Sequence, residues 1–486
     1  MARAPGTRFT SDIPPRLDRL PWSAWHWRVV VALGVTWMLD GLEVTLVGAI
    51  GPVLTEPGTL HLTTAQIGGS ATAYLLGAVL GALLFGRLTD LYGRKRLFLV
   101  TLAVYLTATL ASGLSFSFAS FAVCRFVTGA GIGGEYSAVN SAVDELIPAR
   151  VRGHADLAIN STYWLGTVVG ALLTFGLLDP RLLPPNLGWR CVFVVGAALG
   201  ISILWLRRHI PESPRWLLLH GRDDEAEAIM GQIEGQVRAA TGGRSASLPP
   251  PGSPITLEAK GRVTFAAIAR VLLRHHRRRT LLGLSLMIAQ AFAYNGVFFT
   301  YALVLAKLYG VPPGRIGLYL IPFGLGNLAG PILLGSLFDR LGRRAMIAAT
   351  YLTSGGLIAL TGFGMTRGWF DATTQTAMWC VVFFVASAAA SSAYLTVSEL
   401  FPVELRGMAI ALFFAVGTGA GGVAAPALFG ALLERGDRGG VSAGYLVGAA
   451  LMVAAGAVAA TLGVPAERKS LETINSLHDG PPPGTA

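Results

Sequence analysis

The sequence predicts an all-α membrane protein whose twelve transmembrane helices form two six-helix bundles, and three observations carry that prediction. Hydrophobic residues make up 53% of the 486 residues and charged residues only 13%, against about a quarter charged in soluble domains. Twelve apolar windows of the length that crosses a hydrocarbon core, about 20 residues each, can be placed along the chain. The polar connections repeat: Gly86-Arg87-Leu88-Thr89-Asp90-Leu91-Tyr92-Gly93-Arg94-Lys95-Arg96 returns in shorter form as Gly335-Ser336-Leu337-Phe338-Asp339-Arg340-Leu341-Gly342-Arg343-Arg344.

Taken in order, residues 1–28 carry Arg3, Arg8, Arg16, Arg19 and Arg28, with Trp22, Trp25 and Trp27 just before the first apolar run. Tryptophan at headgroup level and arginine on the inner side suit a cytoplasmic interface. The run from Val29 to Leu54 is much longer than the about 7–15 residues of a signal h-region, and no small-residue cleavage site ends it. The windows fall at 29–54, 66–89, 97–114, 118–143, 155–178 and 189–206, then at 281–306, 316–338, 345–364, 375–398, 407–433 and 442–463. This divides the chain into a first bundle with its N-terminal segment (1–206), a linker loop (207–280), a second bundle (281–464) and a disordered polar tail (465–486). Lys and Arg fill the N-terminus and the even-numbered connections, so both termini and the linker are expected on the cytoplasmic side. Within the linker, 223–238 reads as helix, and the Gly/Ser/Pro-rich stretch 241–254 reads as a mobile connector. The basic run Arg274 to Arg279 flanks the seventh window as a topology signal.

The net charge of +11 lies between apolar segments and not on an aromatic-interleaved face, which excludes nucleic acid as the partner. Cys124, Cys191 and Cys380 sit inside apolar windows without metal-ligand spacing and read as packing residues. No nucleotide loop, metal spacing or nucleophile motif is present, so an enzyme is not expected, and no cofactor is implied.

The two halves are parallel copies of one six-helix unit. Asp90 and Asp339 stand at equivalent places, as do Glu145 and Arg152 after the fourth window and Glu399 and Arg406 after the tenth. With Arg94 and Arg343, these acids and arginines are positioned to pair across neighbouring helix ends and latch the cytoplasmic side. The Gly86 to Arg96 stretch resembles the signature loop of the major facilitator superfamily, and the doubled layout extends the resemblance over nearly the whole chain. Pro211-Glu212-Ser213-Pro214-Arg215-Trp216 and Arg125-Phe126-Val127-Thr128-Gly129-Ala130-Gly131-Ile132-Gly133-Gly134-Glu135 resemble the sugar porters and their relatives, the metabolite/proton symporters and organic-ion carriers. The resemblance implies two bundles that rock about a central site and give alternating access.

Asp40 and Glu43 are three residues apart on one face of the first window. At about 1.5 Å per residue, Asp40 lies roughly 18 Å beyond Arg28, near mid-membrane. A carboxylate there costs about 2.5–3.5 kcal/mol on the mild insertion scale, so a cavity or a cation is expected beside it. Arg125 in the fourth window has the depth to reach Glu43. Sugar porters pair an acid and an arginine at these places, and Asp40-Gly41-Leu42-Glu43 is similar to the acid-Gly-x-acid element of aromatic-acid and metabolite symporters. Burial favours the neutral acid and a neighbouring arginine the charged one, so opening such a pair moves a proton; a purely structural ion pair is the alternative. Glu135 occupies the acid position that phosphate and metabolite symporters place after a glycine run, and it is expected to serve either coupling or packing.

Candidate solute contacts are Asn160, Tyr163 and Trp164 in the fifth window, Gln290, Tyr294, Asn295 and Tyr301 in the seventh, and Tyr394 in the tenth. Gln290 and Asn295 match two positions of the hydroxyl-binding motif of the sugar porters, where amides both donate and accept. The chain departs from that motif at Ala289, Phe299 and Thr300, and at Ala390-Ser391-Ser392-Ala393-Tyr394 in the tenth window, which argues against a hexose. The expectation is a monomeric carrier in the bacterial inner membrane that moves a small polar metabolite or organic acid by proton symport. The alternatives are proton-driven efflux of a natural product or drug, and a transport-inactive sensor with the same fold.

Overall fold

A computed structural model of the chain describes residues 7–148, 151–207, 211–240, 248, 250, 252–258, 269–270, 272–274, 276–400 and 411–463. Among the described residues, helices occur in each of the twelve predicted windows. The first half contains Ala24–Leu54, Thr64–Tyr92, Arg94–Gly113, Phe118–Leu146, Arg152–Leu177 and Pro185–Arg207. The second contains Arg277–Phe298 continued by Tyr301–Tyr309, then Pro313–Arg340, Arg343–Thr366, Ala372–Leu400, Ala411–Glu434 and Arg438–Leu462. They are numbered here as spans 1 to 12. Among the described residues nine, all except spans 4, 5 and 6, are long and apolar enough to cross a membrane by length and composition.

Local chemistry sets the ends. Thr63 caps span 2 by accepting from the Gln66 amide at 3.2 Å, while Gln66 Oε1 accepts from the Thr63 amide at 2.9 Å, a reciprocal capping box. The repeated motif supplies the turns that follow spans 2 and 8. Gly93 (φ 93°) and Gly342 (φ 95°) take backbone conformations that side chains other than glycine rarely adopt. Beside the first turn, the Glu212 carboxylate accepts from the Lys95 amide at 3.1 Å, placing negative charge at the N-terminus of span 3, where the helix dipole favours it.

Packing repeats as the sequence does. Span 2 lies on span 4 and span 8 on span 10; span 3 lies on span 6 and span 9 on span 12. The halves meet where span 5 packs on span 8 and span 2 on span 11. Spans 1 and 5 approach backbone to backbone: a Cβ built on Gly41 would stand 1.9 Å from the Tyr163 carbonyl oxygen, and one on Gly166 would stand 1.7 Å from that of Met38. Small residues at such contacts are what lets transmembrane helices close on each other.

Three features differ from the sequence expectation. Span 7 is interrupted at Phe299 and Thr300 instead of running unbroken to 306. Span 11 contains a π-helical turn, Thr418–Gly422. The third concerns the N-terminal segment and linker. β1 (Arg8–Ser11) pairs antiparallel with β2 (Ile255–Glu258), and short helices Ile13–Asp18 and Pro214–Leu219 pack with the linker helix Asp223–Ala240. Ile13, Leu17 and Leu20 share a core with Met230, Ile233 and Val237 and with Val143, Leu146 and Ile159 at the ends of spans 4 and 5. The helix expected at 223–238 is present as Asp223–Ala240, and the linker is held against the first half over these segments, a docking that the sequence reading did not anticipate; most of the stretch expected to be mobile, 241–254, lies outside the described residues. Positions 241–247, 249, 251 and 259–268, and the tail from 464, lie outside the described residues.

Candidate functional site

Span 1 carries Asp40 and Glu43, and span 4 brings Arg125 against them. Arg125 Nη1 lies 2.5 Å from Glu43 Oε1, and both side chains are wholly inaccessible. The guanidinium also donates to Ser112 Oγ (2.7 Å from Nη2 and 3.2 Å from Nε) and to Thr128 Oγ1 (2.9 Å), and it stands 4.8 Å from the centre of the Phe193 ring. Desolvating two charges is expensive, and such supplementary hydrogen bonds are what a buried pair needs to persist. The arginine is well satisfied; the acid is less so. Glu43 Oε2 and the Tyr105 hydroxyl are buried without a hydrogen-bond partner among the described residues.

Asp40 is also buried, 5% exposed, in the neighbourhood of Tyr74, Tyr105 and Tyr163. The structure thus sets two acids, one arginine and three tyrosines among spans 1, 2, 3, 4 and 5. Glu135 is buried in span 4, 1% exposed. It follows glycines pressed on their neighbours: a Cβ on Gly133 would stand 2.0 Å from the Ala78 carbonyl oxygen.

Across the boundary between halves, Trp164 of span 5 meets Tyr294 and Phe298 of span 7, with ring centres 5.7 and 5.6 Å apart. Tyr294 stacks on Phe298 at 5.8 Å and meets Phe383 edge-on at 4.8 Å. The Tyr294 hydroxyl donates to Asn327 Oδ1 (3.0 Å), and Asn327 Nδ2 donates to the Phe323 carbonyl (3.0 Å). Tyr163 packs edge-on to Trp164 and has Tyr394 of span 10 in its neighbourhood. Asn295 donates to the Ala291 carbonyl at 2.8 Å and faces the π turn, since a Cβ on Gly422 would stand 2.8 Å from its Nδ2. Gln290 is buried with Nε2 3.9 Å from Met287 Sδ, and Asn160 is half-buried. Tyr301 lies apart from the ring cluster's inter-half edge: its hydroxyl is 2.6 Å from Thr376 Oγ1, fully buried within the second half.

On the face opposite the linker, spans 2 and 11 are in direct contact. Thr72 Oγ1 of span 2 donates to the Val423 carbonyl of span 11 (2.7 Å), and the Ala65 amide donates to Glu434 Oε2 (3.0 Å). At the same contact a Cβ on Gly68 would stand 2.2 Å from the Pro426 carbonyl oxygen. Of the expected gate, Arg343 is half-buried at the start of span 9. The side chains of Asp90, Arg94, Glu145, Arg152, Asp339 and Glu399, and Arg406 altogether, lie outside the described residues.

Sequence reasoning missed Tyr74, Tyr105, Ser112 and Asn327. Thr128, three residues after Arg125, was findable from helical spacing; Ser112 and Asn327 stand in apolar runs with no spacing signal.

Comparison with known proteins adds to this geometry. The family described as sugar (and other) transporter matches residues 23–477. The niacin transporter of Acinetobacter baylyi is 28% identical over 464 residues, covering 95% of this chain and 99% of that protein. The 4-hydroxybenzoate transporter of Pseudomonas putida is 29% identical over 233 residues, 48% of this chain and 50% of its own. The crystal structure of a D-xylose–proton symporter superposes with a TM-score of 0.70 at 18% identity, over 92% of this chain and all of that one.

Proposed function

Because the chain belongs to the sugar (and other) transporter family of the major facilitator superfamily, we propose that it is a proton-coupled symporter for a small organic acid. It works by alternating access in the cytoplasmic membrane, with the linker face toward the cytoplasm. The observation that carries the coupling is the buried Glu43–Arg125 pair, in which Glu43 Oε2 has no hydrogen-bond partner among the described residues. While the pair is closed, the charges neutralise each other in a low-dielectric setting. When span 1 and span 4 separate, the carboxylate is left alone, a state that takes up a proton in preference to remaining charged. Asp40 stands three residues away as a second acceptor, and Glu135 a further one toward the linker face.

For the solute, the ring cluster of Trp164, Tyr294 and Phe298 supports a planar aromatic ring, which stacks favourably on such faces. Niacin and 4-hydroxybenzoate, the solutes in two relatives' names, are both aromatic monocarboxylates, and we propose that class here. In this reading Asn160, Tyr163, Gln290, Asn295 and Tyr394 are the polar groups that would contact the solute.

The test is uptake into proteoliposomes under an imposed pH gradient, with a panel of aromatic monocarboxylates, pentoses, hexoses and inositol. Uphill uptake of an aromatic acid is expected. Glu43→Gln should abolish that uptake while leaving solute exchange at zero gradient; unchanged uphill uptake would overturn the coupling role.

A further inference from the structure

The N-terminal arm and the linker are far apart in sequence, yet they form one folded unit. In the β1–β2 pair, Arg8, Phe9, Thr10 and Ser11 stand opposite Glu258, Leu257, Thr256 and Ile255. Next to it, Arg16 bonds Glu234 through Nε and Nη2 (3.1 and 3.0 Å) and Glu227 through Nη1 (2.6 Å), and Arg19 Nη2 reaches Glu234 at 2.6 Å. Arg215 lies 3.6 Å from Asp18. The Arg16 and Glu234 side chains are 13% and 9% exposed. This is a two-pronged charge-assisted arrangement, stronger than a lone surface pair, and it is seated over the apolar contact of Ile13, Leu17 and Leu20 with Met230, Ile233 and Val237.

We infer that residues 8–20 are a clasp that fixes the linker to the first half and thereby shortens the tether between the two halves. Span 6 ends at Arg207 and span 7 begins at Arg277, 69 residues intervening. With the linker helix and β2 held to the first half, the connection to the second half starts after Glu258 and is 18 residues long. With the described helical residues at about 1.5 Å each and the others at the limit of about 3.3–3.6 Å, the maximum reach falls from roughly 180 Å to roughly 50 Å. Effective concentration rises as a tether shortens toward the span it must bridge, so the clasp restricts how far the linker-facing ends of the halves separate. The inference rests on the two-half fold alone and is independent of the solute and the coupling ion.

The experiment uses the full chain in lipid nanodiscs, with Cys124, Cys191 and Cys380 replaced. Thr10→Cys and Thr256→Cys, opposed in the β1–β2 register, should form a disulfide on mild oxidation, read as loss of maleimide labelling. Glu234→Arg, which faces Arg16 and Arg19 with a like charge, should lower that yield at least fivefold, and Arg16→Glu/Arg19→Glu/Glu234→Arg should restore it to within twofold. In a separate sample, spin labels at the exposed repeat positions Tyr92 and Leu341 report the distance between halves. Glu234→Arg should broaden that distribution toward longer separations, and the disulfide between positions 10 and 256 should narrow it. Absence of the disulfide in the otherwise unaltered chain would overturn the clasp; identical distance distributions with the disulfide oxidised and reduced would overturn its tethering role, even if Glu234→Arg fails to fold.

Discussion

The two halves share a helix plan but differ in what they bury. Spans 1 to 6 bury Asp40, Glu43, Arg125 and Glu135, whereas in the second half Arg279 is buried at the start of span 7 and spans 7, 8 and 10 bring together Tyr294, Phe298, Phe323, Phe383 and the amide of Asn327. The difference follows from what each kind of group tolerates. A charge in a low-dielectric interior has to keep its partner or lose its ionisation, so the acid and arginine are held within one half, where a change in packing can open or close them. Aromatic faces carry no such penalty and can slide or separate at modest cost, which suits the boundary that Trp164 shares with Tyr294 and Phe298. The two halves repeat one helix plan, and the buried acid–arginine pair stands in one of them while the inter-half ring cluster draws mainly on the other.

The largest test of that division is Arg125→Met. It leaves Glu43 buried without its cation and should lower stability by about 3–5 kcal/mol, measured by chemical denaturation in detergent. Adding Glu43→Leu should recover most of the loss, and failure to recover would mean that Arg125 serves more than the pair. Next, Gly68→Leu places a side chain where the Pro426 carbonyl lies, so the spans 2 and 11 contact cannot close. Cysteine accessibility should shift toward a state open on the face opposite the linker, with solute uptake falling at least tenfold. A smaller effect is expected at the ring cluster. Tyr294→Ala should raise the KM for an aromatic acid by roughly three- to tenfold, the scale of one aromatic pairing of about 0.5–1.5 kcal/mol, with the pH dependence of uptake unchanged. A shifted pH profile would join the two chemistries that the comparison separates.

The smallest effect concerns the clasp. Burial alone would raise the Glu234 carboxyl, but hydrogen bonds from Arg16 and Arg19 outweigh it and hold the group below its ordinary value of 4.5. A depressed carboxylate contributes stability above its unfolded value and loses it as pH falls through the folded one. Glu227 and Asp12, at 2.6 and 3.6 Å from Arg16, share the cluster. The distance distribution between labels at Tyr92 and Leu341 should therefore be unchanged from neutral pH down to about 5 and broaden only below 4.5; broadening near pH 6 would contradict this assignment.

Much of the arrangement was legible in the residues alone. Hydropathy placed the twelve windows because the absence of water in a bilayer forces helices to satisfy their own backbone groups. The duplicated motif announced its turns because only glycine readily adopts the conformation of Gly93 and Gly342. Asp40, Glu43 and Arg125 stood out because ionisable groups are rare in apolar runs, and rise per residue put the arginine within reach of Glu43. The break in span 7 was less visible: Phe299 and Thr300 carry no proline or glycine signal, and the residues that follow pack as a separate short helix.

What the sequence determined by itself was therefore periodic or compositional: the membrane class, the two-fold repeat, the spans and the intramembrane charges. The tertiary structure decided what depends on contacts between distant segments. Ser112 completes the Arg125 site from span 3, Asn327 fixes the Tyr294 hydroxyl from span 8, and the first strand pairs with residues more than 240 positions away. Such contacts leave no local signal, because serine in a helix or a four-residue strand is compatible with many neighbours, and only the closed packing of the chain selects one.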